Sequence, residues 1–91
     1  MIRRRTKIVC TLGPASFDED VIARMIRAGM DVARLNFSFG GYDVHQENVA
    51  RIRAAADAEG QPVGILMDLQ GPKLRLGKMP EDGLPVQEGQ E

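Results

Sequence analysis

The sequence predicts an α/β fold in which short strands alternate with helices around a parallel sheet. Three apolar, β-rich segments are separated by two segments whose apolar residues recur at helical spacing, which gives the order β-α-β-α-β. The connections are short, and strands joined through helices in this way run parallel with right-handed crossovers. Polar residues follow each predicted strand, at the edge where barrels and open α/β sheets bind ligands.

The composition fits one small domain and gives no reason to expect a nucleic-acid or membrane partner. Of 91 residues, 43% are apolar and 27% are charged, and 12 basic against 13 acidic residues give a net charge of −1. No segment approaches the ~20 apolar residues that span a bilayer. The basic cluster Arg3–Arg5 precedes too short an apolar run for a signal peptide and is expected to be a solvated N-terminus. We therefore expect a cytoplasmic location.

The first strand is predicted at Lys7–Leu12, and the first helix is predicted to follow it and to end at Gly29. The strand is β-rich, stops at a Gly-Pro pair and contains the only cysteine, Cys10, which we expect to be an inert buried thiol. Ser16 and Glu19 have the spacing of a capping box, so the helix is predicted to begin there. Gly29 suits a left-handed C-terminal cap. The buried stripe of this helix is predicted to be Val21, Ile22, Met25 and Ile26.

The remaining predicted elements are a strand at Met30–Leu35, a helix at Tyr42–Gly60 and a strand at Val63–Met67. The apolar third strand is predicted to be buried on both faces, as in parallel sheets. Residues 78–91 contain repeated Pro and Gly and are predicted to form a short antiparallel strand or the start of a second domain. One face of the second helix is predicted to carry His45, Val49, Ile52 and Ala56.

The polar residues at the strand ends indicate a site for an anion and a cation. Arg34, Asn36 and Ser38 alternate at a spacing of two, which predicts that they share one strand face. Arg34 is either an anion clamp, because a guanidinium binds phosphate through a bidentate fork, or the ion-pair partner of Asp68 or of a glutamate. Asn36, Ser38 and Asp68 either hold a hard cation or hydrogen-bond one another. His45 has no metal-ligand spacing to a carboxylate or cysteine and is expected to be a packed or capping histidine.

Three segments carry a resemblance to a known family: TKIVCTLGPAS at 6–16, GMDVARLNFS at 29–38 and MDLQGPKLRLG at 67–77. In their order and spacing they resemble pyruvate kinase. The resemblance implies the first three βα units of a TIM (β/α)8 barrel in residues 1–77, with residues 78–91 as the start of an inserted β domain. It also implies a glycolytic enzyme that transfers the phosphoryl group of phosphoenolpyruvate to ADP, giving pyruvate and ATP, and that is a homotetramer.

The resemblance also assigns roles to individual residues. Pro14 looks like a nucleotide contact, Arg34 like the catalytic contact to the transferred phosphoryl group, and Arg75 like a further phosphate contact. The family's Mg²⁺ ligands and its catalytic lysine are expected outside this chain. The residues that resemble monovalent-cation ligands are Asn36, Ser38 and Asp68.

Two departures from the family pattern affect these expectations. Many members read Asn-Phe-Ser-His-Gly, but this chain has Phe39 at the fourth position, which cannot make an imidazole's hydrogen bond to nucleotide phosphate. Potassium-dependent members resemble Asp-Thr-Lys-Gly-Pro-Glu, where this chain has Leu69, Gln70 and Lys73 at the altered positions. This pattern resembles the potassium-independent type. We predict that the Lys73 ammonium lies near Asp68 and replaces the ion; the alternative is a solvated turn residue.

The length of the chain limits what it is expected to do alone. A complete barrel needs ~250 residues, and three strands with two helices leave sheet edges unpaired. We expect the isolated chain to be inactive and marginally stable. Two alternatives remain open from the sequence: a truncated, non-catalytic product that binds a ligand or partner, and part of a different phosphoenolpyruvate-using barrel enzyme.

Overall fold

The structure, a computed structural model that describes residues 4–91, is a three-stranded parallel sheet with two helices. The strands are β1 (Val9–Thr11), β2 (Val32–Asn36) and β3 (Gly64–Asp68), in the order β1-β2-β3. The helices are α1 (Glu19–Ala28) and α2 (Tyr42–Glu59). The predicted β-α-β-α-β order and the α/β class are therefore confirmed. No helix in this part of the chain is long and apolar enough to cross a membrane.

A small core lies between one face of the sheet and the two helices. Ala33 and Leu35 of β2 point into it and are almost completely buried, because alternate residues of a strand face the same side. The helices pack against each other and supply the rest of the core. The predicted stripes are confirmed in their central residues. Cys10, which was predicted to be buried, is only half-buried beside them. The buried helix residues are Ile22, Ile26, His45, Asn48, Ile52, Ala55 and Ala56.

The other face of the sheet is open in the described residues, so the predicted burial of β3 on both faces is wrong for this chain. Leu66 points to the open face and is 43% exposed. Met67 lies on the helix side but near the strand end, and it is 57% exposed. Burial on both faces needs a layer on each side, and residues 4–91 place helices on one side only. Ile65 is half-buried against the core.

Helix α1 begins later than predicted and has a different cap. Asp18 precedes the helix, and its Oδ1 accepts a hydrogen bond from the Asp20 amide at 3.0 Å. Ser16 lies in a 3-10 turn, where its hydroxyl accepts from the Gly13 amide at 2.9 Å. The predicted capping box between Ser16 and Glu19 is therefore wrong, because the turn after β1 uses the hydroxyl that the helix was expected to use.

Both helices end at the glycines that the sequence predicted as their C-terminal caps. Gly29 at φ 125° ends α1, and its amide donates to carbonyls of the last helical turn. Gly60 at φ 65° ends α2 in the left-handed conformation, which glycine adopts without a Cβ penalty. The strands are offset from their predicted bounds by one or two residues, and β1 is the shortest.

Residues 69–91, all of them described, are exposed and contain no helix or strand. Two turns interrupt them, with the Gly83 amide donating to Pro80 O at 3.0 Å and the Gln90 amide to Gln87 O at 3.2 Å. The antiparallel strand predicted in residues 78–91 is not formed here. The second prediction for this segment, that it begins an inserted β domain, stays a prediction.

Arg4 ties the N-terminal segment to the loop between α1 and β2. Its guanidinium donates to Asp31 Oδ2 at 3.1 Å and to Gly29 O at 2.8 Å. Asp31 Oδ2 also accepts from the Ile8 amide at 2.8 Å. Arg4 and Arg5 are exposed, as predicted for this cluster, but Arg4 also forms an ion pair that the sequence did not predict; Arg3 lies outside the described residues. The Ile8 amide, and then Arg4, hold the pKa of Asp31 below its usual value.

Replacing Asp31 tests this contact through its pH dependence. Because the folded-state pKa is lowered, the carboxylate stabilises the fold above its ordinary pKa of about 3.9, and this contribution is lost as the pH falls through the folded-state value. We expect Asp31→Asn to be less stable than the original chain at neutral pH, with the difference narrowing in acid. The measurement is the urea midpoint across pH, with trimethylamine N-oxide added to favour the folded state.

The matched control is Asp82→Asn, since the Asp82 side chain is exposed and makes no ion pair in residues 4–91. Its midpoints should follow those of the original chain at every pH. A stability difference for Asp31→Asn that stays constant across the acid range would contradict the role of the charge.

A second pair of variants tests the cap of α1. Asp18→Ala removes the acceptor of the Asp20 amide, and a lost N-cap costs about 1 kcal/mol of unfolding free energy. Glu19→Ala removes the side-chain acceptor of the capping box that the sequence predicted, and it should have a smaller effect. Urea denaturation measures the unfolding free energy of both variants. A larger loss for the Glu19 variant than for the Asp18 variant would favour the capping box at Ser16 instead.

Candidate active site

The carboxyl ends of the three strands form one polar rim. The parallel register places Thr11 opposite Arg34, and Asn36 opposite Asp68. Since residues in register on neighbouring strands point to the same side, these four side chains share the face of the sheet opposite to Ala33. The order of the strands thus brings together polar residues that are up to 57 positions apart in the sequence.

The Arg34 guanidinium connects all three strands at this rim. Its Nε donates to Asp68 Oδ2 at 3.1 Å, its Nη2 donates to the same oxygen, and its Nη1 donates to Thr11 Oγ1 at 2.9 Å. The ion pair that the sequence left as one alternative is therefore present. Thr11 was not predicted, although its place two residues before a Gly-Pro turn, at the end of a strand, was a usable signal.

The ion pair of Arg34 and Asp68 leaves N–H groups of Arg34 available to a ligand. Arg34 and Asp68 side chains are 30% and 47% exposed. A guanidinium has five N–H groups, and contacts within residues 4–91 use three of them. An anion at the rim would meet the remaining two in an orientation that Asp68 and Thr11 fix. The ion pair and the anion clamp are thus compatible roles for the same side chain.

The chain turns directly after β2, and this changes the predicted position of Ser38. The Ser38 amide donates to Asn36 Oδ1 at 3.0 Å, and the Phe39 amide donates to Asn36 O at 3.2 Å. Asn side chains commonly hold their own backbone in this way. The prediction that Ser38 shares a strand face with Arg34 is therefore wrong, while Arg34 and Asn36 do share one.

Lys73 does not reach Asp68. Within residues 4–91, Asp68 forms its ion pair with Arg34, and Lys73 has none. Lys73 instead lines an open hollow of about 140 Å³ together with Ser38 and Arg75. The predicted contact fails because Arg34 already occupies the carboxylate and the turn after Asp68 carries Lys73 away. Its role as a substitute for potassium stays a prediction.

His45 lies behind this turn, in the first part of α2. It is 7% exposed, its Nε2 lies 2.7 Å from Phe39 O, and its ring stacks on Phe37 with centroids 4.1 Å apart. This agrees with the expected packed histidine. Phe39 itself is 69% exposed and points no polar group toward the rim.

The loop after β1 carries Pro14, which is exposed in the 3-10 turn. Arg51 of α2 holds the far end of this loop by donating to Phe17 O at 2.8 Å. Sequence reasoning missed Arg51, because a bond from a side chain to a distant carbonyl leaves no periodic signal. Asn48 is 1% exposed. It was missed because polar residues are not expected in a core.

The described residues do not by themselves fit a divalent metal. No group of three His, Cys, Asp or Glu side chains in residues 4–91 could hold one. Asp68 is the carboxylate of the rim, and it already forms an ion pair with Arg34. Any Mg²⁺ at this edge therefore needs carboxylates from elsewhere.

Comparisons with known proteins agree with this geometry. The family model described as pyruvate kinase, barrel domain, matches residues 3–91. The chain belongs to the pyruvate kinase family. It is 53% identical over 87 residues to the pyruvate kinase of Mycobacterium tuberculosis, covering 96% of this chain and 18% of that protein. It is 57% identical over 88 residues to the pyruvate kinase of Corynebacterium glutamicum, covering 97% and 18% respectively.

A solved structure shows the same fold. A pyruvate kinase from Cryptosporidium parvum superposes with a TM-score of 0.74 and 43% sequence identity, covering 76% of this chain and 14% of that one. The three strands and two helices are therefore the first βα units of a TIM barrel, as predicted. The chain spans 18% of the length of these curated relatives. The family match favours a pyruvate kinase over the alternative of a different phosphoenolpyruvate-using barrel.

Proposed function

We propose that this chain is the N-terminal part of the barrel of a pyruvate kinase, which moves the phosphoryl group of phosphoenolpyruvate to ADP and yields pyruvate and ATP. The observation that carries the proposal is Arg34, anchored by Asp68 and Thr11 at the carboxyl rim of a barrel sheet. Ligands bind at this rim in TIM barrels. The match to the family over residues 3–91 supports the same reaction.

In this proposal Arg34 neutralises the transferred phosphoryl group. Phosphoryl transfer depends mainly on positioning and on charge stabilisation. Asp68 accepts from Nε and Nη2 and so fixes the plane of the guanidinium, while Thr11 fixes Nη1. An arginine held in this way loses little conformational freedom when the phosphate binds. Pro14 and Arg75 are the proposed contacts to nucleotide and to a further phosphate.

Mg²⁺, which would supply positive charge to the phosphates, is proposed to bind to residues outside this chain. A monovalent-cation site at Asn36, Ser38 and Asp68 is proposed to be replaced by the Lys73 ammonium. Its support is the hollow that Lys73 shares with Ser38. In the complete enzyme, parts of the barrel absent from this chain are proposed to move residues 69–77 toward Asp68.

The remaining proposals concern the whole protein. We infer that residues 1–77 are an incomplete part of the barrel and that residues 78–91 lead into an inserted β domain. A homotetrameric, cytoplasmic enzyme is proposed from the family resemblance.

The function is tested in a chimera in which residues 4–91 replace the matching segment of the Corynebacterium glutamicum pyruvate kinase. We expect this chimera to form pyruvate from phosphoenolpyruvate and ADP, and the isolated chain to form none. Arg34→Lys removes the planar fork and should lower kcat/KM by about 10²-fold or more. Steady-state kinetics with each substrate varied in turn gives the measurement.

The control is Arg24→Lys, since Arg24 is exposed on α1 and forms no ion pair within residues 4–91. It should leave kcat/KM unchanged. Full activity of the Arg34→Lys chimera would refute the role of Arg34. Turnover by the isolated chain would refute the need for the rest of the barrel.

Potassium dependence tests the proposed role of Lys73. The chimera should have the same activity with and without potassium, and Lys73→Glu should create a potassium requirement because it restores a negative charge near the site. Lys78→Glu makes the same change of charge in the exposed tail and should create none. A strong potassium requirement in the unmodified chimera would contradict the proposed role of Lys73.

A further inference from the structure

We propose that His45 is a positioning residue that holds the loop between β2 and α2, and with it Ser38, in the geometry the site requires. The inference rests on the proposed function, because it assigns a role to the support of that same site. His45 is buried, is not a hydrogen-bond partner of the rim side chains and has no part in the proposed reaction.

The hydrogen bond from His45 has a fixed direction. Its Nε2 lies 2.7 Å from Phe39 O, and a carbonyl oxygen can only accept, so Nε2 donates. His45 is 7% exposed. The bond is partly buried, and a buried donor that loses its acceptor carries the cost of its desolvation.

His45 contacts the residues on both sides of Ser38. It bonds to the carbonyl of Phe39, and its ring stacks on Phe37 with a 4.1 Å centroid separation and an 11° angle between planes. A chain fixed at two residues flanking a third leaves the third little freedom. Ser38 is therefore positioned by His45 without touching it.

The loop has few other restraints of this kind. Gly40 and Gly41 follow Phe39 and carry no side chain that could pack. Gly41 precedes α2 without a side-chain cap. Asn36 bonds to the Ser38 amide, which shapes the turn but does not tie it to a helix. In the described residues, the bond from His45 is thus the side-chain hydrogen bond between this turn and α2, beside the contact of Phe37 with Tyr42 at a centroid separation of 6.2 Å.

Helix α2 is itself anchored in the core, so it can hold the hydrogen bond from His45 to Phe39 O in place. Below His45 on the same helix, Asn48 and Ile52 are 1% and 0% exposed and pack into the core. Arg51 of the same helix holds the loop after β1 through Phe17 O. One rigid element therefore supports two of the three loops at the rim, and a shift of about 1 Å at a supported site can reduce a rate 10²-fold.

Two substitutions separate donation from packing. His45→Gln keeps an N–H donor of similar reach but loses the ring, while His45→Phe keeps a ring to stack on Phe37 but loses the donor. In the chimera defined above, we expect His45→Phe to lower kcat by about tenfold or more, with a smaller change in KM. His45→Gln should restore kcat to within a few-fold of the original. If the residue served only to fill space, the Phe variant would be the more active of the two.

A second readout does not depend on turnover. Hydrogen–deuterium exchange of the peptide that covers residues 37–41 should be faster in His45→Phe than in the unmodified chimera, and near the original rate in His45→Gln. Unchanged exchange and kcat in His45→Phe would overturn the inference while an active chimera leaves the proposed function intact. An inactive unmodified chimera would instead refute the function, and the exchange comparison would still decide the role of His45.

Discussion

The rim of the sheet depends on one side chain, the Arg34 guanidinium, which bonds to a residue of each neighbouring strand. A partly exposed ion pair of this kind contributes only about 0 to 1 kcal/mol to stability, and the Arg34 and Asp68 side chains are 30% and 47% exposed. Its importance therefore lies in orientation. Thr11 and Asp68 fix the guanidinium plane, and the parallel register places them there. The core beneath the sheet in turn fixes that register.

The fold was largely predictable because its signals are local. The stripe around Ile22 and Ile26, and the glycines that end both helices, are read from spacing and residue type alone. The start of α1 was not predictable in the same way. Ser16 and Asp18 are both good N-caps, and the choice depends on the turn after β1, which uses the Ser16 hydroxyl. The exposure of Leu66 likewise depends on which layers are present, and a strand's own sequence does not contain that information.

The candidate site was predictable as a set of strand ends but not as a set of contacts. A spacing of two placed Ser38 with Arg34, yet the Asn36 side chain competed with the strand by accepting from the backbone and starting a turn. The bonds from His45 to Phe39 O and from Arg51 to Phe17 O join side chains to main-chain carbonyls six and 34 positions away. Any residue type can supply a carbonyl, so such contacts leave no pattern in the sequence.

The open face of the sheet changes character along the strands. At their amino ends it carries Val9. Leu66 lies level with Arg34 and Thr11, and Asp68 follows at the carboxyl end of β3. In a closed barrel this face points inward, where apolar layers fill the interior and polar groups at the carboxyl rim meet the ligand. The exposed apolar residues and the polar rim are therefore two parts of one surface. The rest of the barrel would cover the first part and leave the second accessible, so closing the barrel and completing the site require the same missing strands.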